Sequence, residues 1–339
     1  LKNNRCIFGK YKNLPISKYS ANVGHVFARS REKEITCNSM NSNLPTGQHD
    51  LPKTYLRRFV IDPQDRNLKS MVYCYSKTKY EAKIKAISID SKRFKKNDFY
   101  TIKELADPYA FENFFRVEVE PLYNKIMAEI SQETNLTHDC RGKILLWLFF
   151  NKYRNEANRN NLELLTNFLI EMPYKMQHGN QKFESIIEEV RKYSKIKAKY
   201  VQLFSLLEKK LFLNFEKGMG TKHWIILKSN KENSFLTNDN PGFSVNVDMA
   251  IPDLETLNSF YATNGKASNY FILSTQYCLL ISPFWEGTPL DMSLNNQIIK
   301  CVRIKDPHID FINYCTITTR TQYLISNDNK RIERYLMVL

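Results

Sequence analysis

Long apolar runs are missing from this sequence. The longest, Ile144-Leu-Leu-Trp-Leu-Phe-Phe150, has seven residues, whereas a membrane-spanning helix needs roughly 20. The first 20 residues are basic but hold no apolar stretch of the kind a secretory signal carries. Glycine is scarce, ten in 339 residues, which leaves little for phosphate-cradling loops. Neither a Walker loop nor a G-x-G-x-x-G occurs. A G-x-S-x-G elbow and an H-E-x-x-H are likewise absent, removing the common serine-hydrolase and metalloprotease classes. No Arg followed by His at four- to six-residue spacing marks the second long helix, which speaks against a HEPN-type ribonuclease. The seven cysteines are odd in number and none are spaced C-x-x-C. A reducing compartment is therefore expected, with each thiol serving as a small buried side chain. These absences together lead us to expect a soluble, cytoplasmic protein with no membrane partner.

What is present is positive charge, unevenly placed. The chain carries +15 overall. Residues 1–100 hold 21 Lys+Arg against 8 Asp+Glu, and residues 101–339 hold 29 against 27. Clusters at Lys53/Arg57/Arg58 and Lys92-Arg93-Phe-Lys95-Lys96 interleave with Tyr55, Phe59, Phe94, Phe99 and Tyr100. Cations release counterions from a phosphate backbone and aromatic faces stack on bases. Nucleic acid, DNA or RNA, is thus the expected partner. A solvated basic surface, an acidic partner protein or an anionic membrane surface fits the same charge.

Along the chain, residues 1–48 read as a separate basic arm. Cys6-Ile-Phe-Gly9, Gly24-His25-Val-Phe and Cys37-Asn-Ser-Met40 resemble an eroded treble clef of the HNH type. With only two of the thiolates left, no bound zinc is expected. Residues 49–339 read as one α+β domain with a helical centre over 108–215, a bundle flanked by strands from both ends of the chain. Strands are expected at Met71–Tyr75 and 82–89. Apolar spacing predicts helices from Pro108, from Asp139 to Leu169 and from Phe183 to Phe215, the last with a basic solvated face at Arg191–Lys199. A hairpin of His223–Lys228 with Ser234–Thr237, strands at Tyr270–Ser274 and Tyr277–Ser282, and a final helix over 307–326 complete the reading.

Four stretches resemble one family. Gln48-His49-Asp-Leu-Pro52-Lys-Thr-Tyr55-Leu56-Arg-Arg-Phe59, Asp98-Phe-Tyr-Thr101, Phe235-Leu-Thr237-Asn-Asp239-Asn240-Pro241 and Ile312-Asn313 are similar to elements of the family catalogued as domain of unknown function 4238. The resemblance covers about residues 48–326. On its central helix the family often has Gln followed by Arg-Thr-Pro, where this chain has Asn151-Lys-Tyr-Arg154-Asn-Glu-Ala and keeps only the arginine. The resemblance implies a fold and a set of positions, with no reaction attached.

Within that frame the candidate catalytic residues are His49, Glu118, Asp239 and Asn240. His49 suits a general base or a metal ligand. Glu118 and Asp239 suit a hard divalent cation such as magnesium, although the acid on the first helix is Glu112, Glu118 or Glu120 by sequence alone. Arg154 suits a bidentate phosphate clamp, alongside Lys53, Arg57, Arg58, Arg93, Lys95 and Lys96. Each also has a structural alternative: a cap for His49, a turn for Thr237–Pro241, an ion pair for Glu118 and Arg154. The resulting expectation is a metal-dependent nuclease acting as a toxin or phage-defence effector. The alternative is a non-catalytic module that binds nucleic acid or a partner protein.

Overall fold

The computed structural model describes residues 47–76, 83–179, 184, 186–230, 232–246, 267–283 and 299–337. The treble-clef expectation for Cys6, His25 and Cys37 lies outside them.

The chain enters as β1 (Gly47–His49), turns at Pro52 into the single helical turn α1 (Lys53–Leu56), and continues as a 3-10 turn, Arg57–Phe59. Strands β2 (Met71–Ser76), β3 (Ile84–Ser88) and β4 (Lys95–Asn97) follow. The helical centre opens with α2 (Ala110–Phe114), a π-helical turn (Phe115–Val119) and α3 (Glu120–Ile130). Pro121 sits in the first turn of α3. It has no N–H to offer the preceding turn, and widening that turn is how a helix absorbs such a residue.

Next come α4 (His138–Arg154) and α5 (Glu156–His178). They replace the single expected helix over 139–169. Asn155 adopts extended backbone and its side chain accepts from Asn158 N–H, so it caps a new helix and re-aims the chain. The expected helix over 183–215 likewise divides into α6 (Ile187–Ser205) and α7 (Lys209–Gly220).

The C-terminal third supplies β5 (His223–Lys228), β6 (Thr237–Asn238), β7 (Phe243–Asn246), β8 (Ala267–Ile272), β9 (Tyr277–Ser282), β10 (Lys300–Arg303), α8 (Asp306–Thr318), β11 (Tyr323–Ser326) and α9 (Asn329–Leu336). One sheet has the order β10-β5-β9-β8-β7 and another the order β3-β2-β11-β6, while β1 pairs with β4. Two expectations are corrected here. The hairpin of 223–228 with 234–237 does not form, because β5 lies between β9 and β10 whereas β6 joins β11. The helix over 307–326 stops at Thr318, and Leu324 and Ile325 become the buried centre of a strand between β2 and β6.

One apolar core runs from Leu51 to Ile325, and the α+β class with strands from both ends around a helical centre is what the chain adopts. Tyr123 stacks on Trp147 at 4.7 Å, and Phe271 meets that indole edge-on at 5.0 Å. Tyr55 closes this group. Its hydroxyl hydrogen-bonds Thr237 Oγ1 at 2.6 Å and donates to Ile272 O at 2.8 Å. Among the described residues no helix is long and apolar enough to cross a membrane.

Candidate active site

Strand alternation sorts the residues around His49. Gln48 points inward, where its Nε2 donates to Thr101 Oγ1 at 3.0 Å and its Oε1 accepts the Tyr100 N–H. The His49 ring points the other way, with Nε2 donating to Ile89 O at 3.2 Å. Burial lowers the His49 pKa, and its charged neighbours are Lys95, Asp90 and Lys53. Asp50 returns inward and is 7% exposed.

Three chain segments converge on that inward side. The first brings Asp50, whose Oδ1 accepts the Leu51 N–H at 2.8 Å. The second is the joint between α4 and α5, which brings Arg154, Asn155 and Glu156. The third is the turn after β6, which brings Asp239 and Asn240. Asn155 Nδ2 donates to Asn240 Oδ1 at 2.9 Å, pinning the joint to the turn. The Tyr100 hydroxyl lies between His49 O at 3.4 Å and Arg154 O at 3.5 Å, pinning the joint to the entry strand. Tyr100 is aimed by Asp98, a non-glycine residue at φ 50°. Aspartate tolerates that left-handed backbone better than most residues, and Lys199 Nζ caps its carbonyl at 2.7 Å.

The carboxylates here are unusual. Burial, reinforced by Glu156 and Asp239, raises the Asp50 pKa to about 7. Burial also raises Asp239 to about 6, although its oxygens accept the N–H groups of Thr321 at 2.9 Å and Gln322 at 2.6 Å. Glu156 is held by Lys96 at 3.1 Å. Burial alone would lower the Lys96 ammonium, but Glu156 and Asp50 outweigh it and the lysine stays firmly charged. The arrangement is a pair of mutually coupled carboxyls titrating near neutrality beside a fixed cation. Such a pair can hold one proton-donating and one proton-accepting group at the same pH.

Arg154 is 1% exposed. Its guanidinium lies over the Phe115 ring at 4.9 Å and 3.6 Å from Glu120 Oε1. None of its three side-chain nitrogens makes a hydrogen bond among the described residues. Glu112 also feels this cation, although burial raises its own pKa. The acids facing Arg154 are therefore Glu120 and Glu112. Glu118 sits half-buried on the π turn, and no hydrogen bond or ion pair joins it to these residues. Among the described residues no group of three or more His, Cys, Asp or Glu side chains is arranged to hold a metal ion.

The expected nucleic-acid contacts divide into two sets. Lys53 pairs with Asp90 at 2.7 Å, Lys95 approaches the same carboxylate at 3.7 Å, and Lys96 and Arg154 are committed as described. Arg57 and Arg58 are exposed and Arg93 is half-buried, and none has an ion pair among the described residues. Asp50, Asn155 and Glu156 are members of the cluster that sequence reading passed over. Asp50 was signalled by its place beside His49 in a strand that must alternate, and Asn155-Glu156 by its likeness to a helix start.

An α+β domain with a polar site built from three distant segments is the class of protein defined here. A family model described as protein of unknown function (DUF4238) matches residues 47–330, and the chain belongs to that family. No curated protein and no solved structure matches it.

Proposed function

We propose that the protein is an enzyme acting on nucleic acid, a nuclease in which Asp50 and Asp239 share the proton transfers. The observation that carries this reading is the coupled pair of buried carboxyls raised to about 7 and about 6. The higher group keeps its proton on a substantial fraction of molecules at neutrality and suits the general acid. The lower one is ionised and suits the base. Lys96 and the Asn155–Asn240 amides supply a charge and donors for a phosphate oxygen, and exposed Arg57 and Arg58 supply a backbone contact. A divalent cation such as magnesium enters as a variable of the assay. A toxin or phage-defence role extends the same proposal to the cell.

The test is cleavage of DNA, RNA and transfer RNA by the full chain, with and without magnesium, across pH. A bell-shaped rate profile with its maximum between the two carboxyl pKa values is expected, abolished in Asp50→Asn and in Asp239→Asn. Unchanged rates in both variants, or no cleavage of any substrate, would overturn the reading. Arg57 and Arg58, exposed and without an ion pair among the described residues, also support a second reading, a non-catalytic binding module, which binding without turnover would select.

A further inference from the structure

Helix α5 has two apolar sides, and beyond its first turns, where Glu156 and Arg159 reach Lys96 and Phe99, its main neighbour is α6. One side packs on α6, whose buried stripe Val190, Ser194, Ala198 and Gln202 offers small side chains at four-residue spacing and a close approach. The other side carries Leu164, Leu165, Phe168, Leu169, Met172 and Met176, each between 46% and 82% exposed. A helix apolar on both sides is a buried helix in water.

We propose that this second side is covered by α5 of a second copy of the chain, making a twofold-symmetric dimer. Three observations favour that occupant. The first is area. Taking about 200 Å² for a side chain of this size, the six leave roughly 700 Å² of surface per copy, against about 800 Å² per partner in a standard interface. Monomeric proteins rarely expose so large a continuous apolar patch. The second is register. Leu164, Phe168, Met172 and Met176 form a single ridge at four-residue spacing. Two such ridges interdigitate in the commonest helix crossing. A twofold axis at Ile170 sets Phe168 against Met172 and Leu164 against Met176 of the other copy, so the ridge is complementary to itself.

The third is charge. The chain carries +15, and two copies repel unless they meet on a neutral face. From Leu162 to Met176, α5 has only Glu163, Glu171 and Lys175, and Glu171 pairs with Lys175 one turn on. The exposed cations of the hairpin, Arg191, Lys192, Lys195 and Lys197, lie on α6. A helix seated on an anionic lipid surface would instead carry its own exposed basic flanks, whereas on α5 Arg159 is buried over Phe99 and Lys175 is held by Glu171.

Sedimentation equilibrium of the full chain over a micromolar concentration series tests the proposal. A mass of twice 40.0 kDa is expected. Phe168→Glu/Met172→Glu should return the single-chain mass with the far-UV circular dichroism spectrum of the folded chain, since both side chains are exposed within one copy. A Phe168→Cys/Met172→Cys variant should crosslink between copies on mild oxidation, which wild type should not do at this site, and this readout does not depend on the charge variant folding. A wild-type chain that stays single throughout, or a dimer that survives the glutamate pair, would overturn the assignment. So would a single chain that co-sediments with phosphatidylglycerol vesicles through α5.

Discussion

Replacing Asp50 by asparagine should raise stability, and by an amount that grows with pH. The folded chain holds this carboxyl neutral up to about 7, against an ordinary 3.8, because burial penalises the charge and Glu156 and Asp239 add to the penalty. Between those two values the unfolded chain has released its proton while the folded chain keeps it. The folded state then binds more protons, so stability declines as pH rises. The contribution is whole below the unfolded pKa, is lost progressively through the window and is gone above about pH 7. At 1.36 kcal/mol per pH unit, the full window is worth about 4 kcal/mol. Asparagine keeps the oxygen that accepts the Leu51 N–H at 2.8 Å, so the change removes the ionisation and little besides. Urea unfolding of both proteins at about pH 5 and about pH 8 should show the variant gaining about 3 kcal/mol on wild type between the two. Carboxyls outside this cluster titrate equally in both chains and cancel. Parallel stability profiles would refute the neutral carboxyl at position 50, and with it the acid role given to Asp50. A variant that is more stable at alkaline pH yet inactive is the signature of a group kept for chemistry at a cost in folding.

Further outcomes can be stated more briefly. Arg154→Ala should cost about 3 kcal/mol in urea unfolding, since it leaves Glu112 and Glu120 without their buried cation and empties the space over Phe115. Tyr55→Phe should cost about 1–2 kcal/mol by the same measurement, from the lost bonds to Thr237 and Ile272, with cleavage unaffected. Arg57→Glu/Arg58→Glu should weaken nucleic-acid binding and reduce its salt dependence by about two counterions, read by fluorescence anisotropy over a salt series. Lys53→Ala, removing a lysine already held by Asp90 at 2.7 Å, should do less.

The strands and helices with clean periodicity were legible from residues alone. Met71–Tyr75, His223–Lys228 and Tyr277–Ser282 lie within or match the observed strands. Errors fell where apolar periodicity runs through a break that only a side-chain cap marks, as at Asn155, or where partner choice is tertiary. Thr237 and Asn238 are strand residues in either arrangement, but pairing with β11 rather than β5 is decided by a strand some 85 residues later. The site was half visible. Asp239, Asn240 and Arg154 were named from their motifs, and all three lie beside the cluster. Asp50 was overshadowed by His49 because a histidine draws attention near neutral pH, while nothing local reveals that burial lifts an aspartate into the same range. The choice among Glu112, Glu118 and Glu120 depended on the π turn. That turn shifts the helix register, and a 3.6-residue repeat cannot express the shift.

The position of β11 also has a consequence in time. This strand lies between β2 and β6, and the turn just before it supplies both N–H groups that hold the Asp239 carboxylate. During synthesis, β2 and the Asp50 segment leave the ribosome some 250 residues before their partner does. A long-range pairing of this kind is slow to close and exposed until it does. Until β11 emerges the nascent chain holds an unfinished sheet and an unanchored carboxylate. An activity built on Asp239 would therefore switch on only once the segment from Thr321 through β11 has emerged and docked.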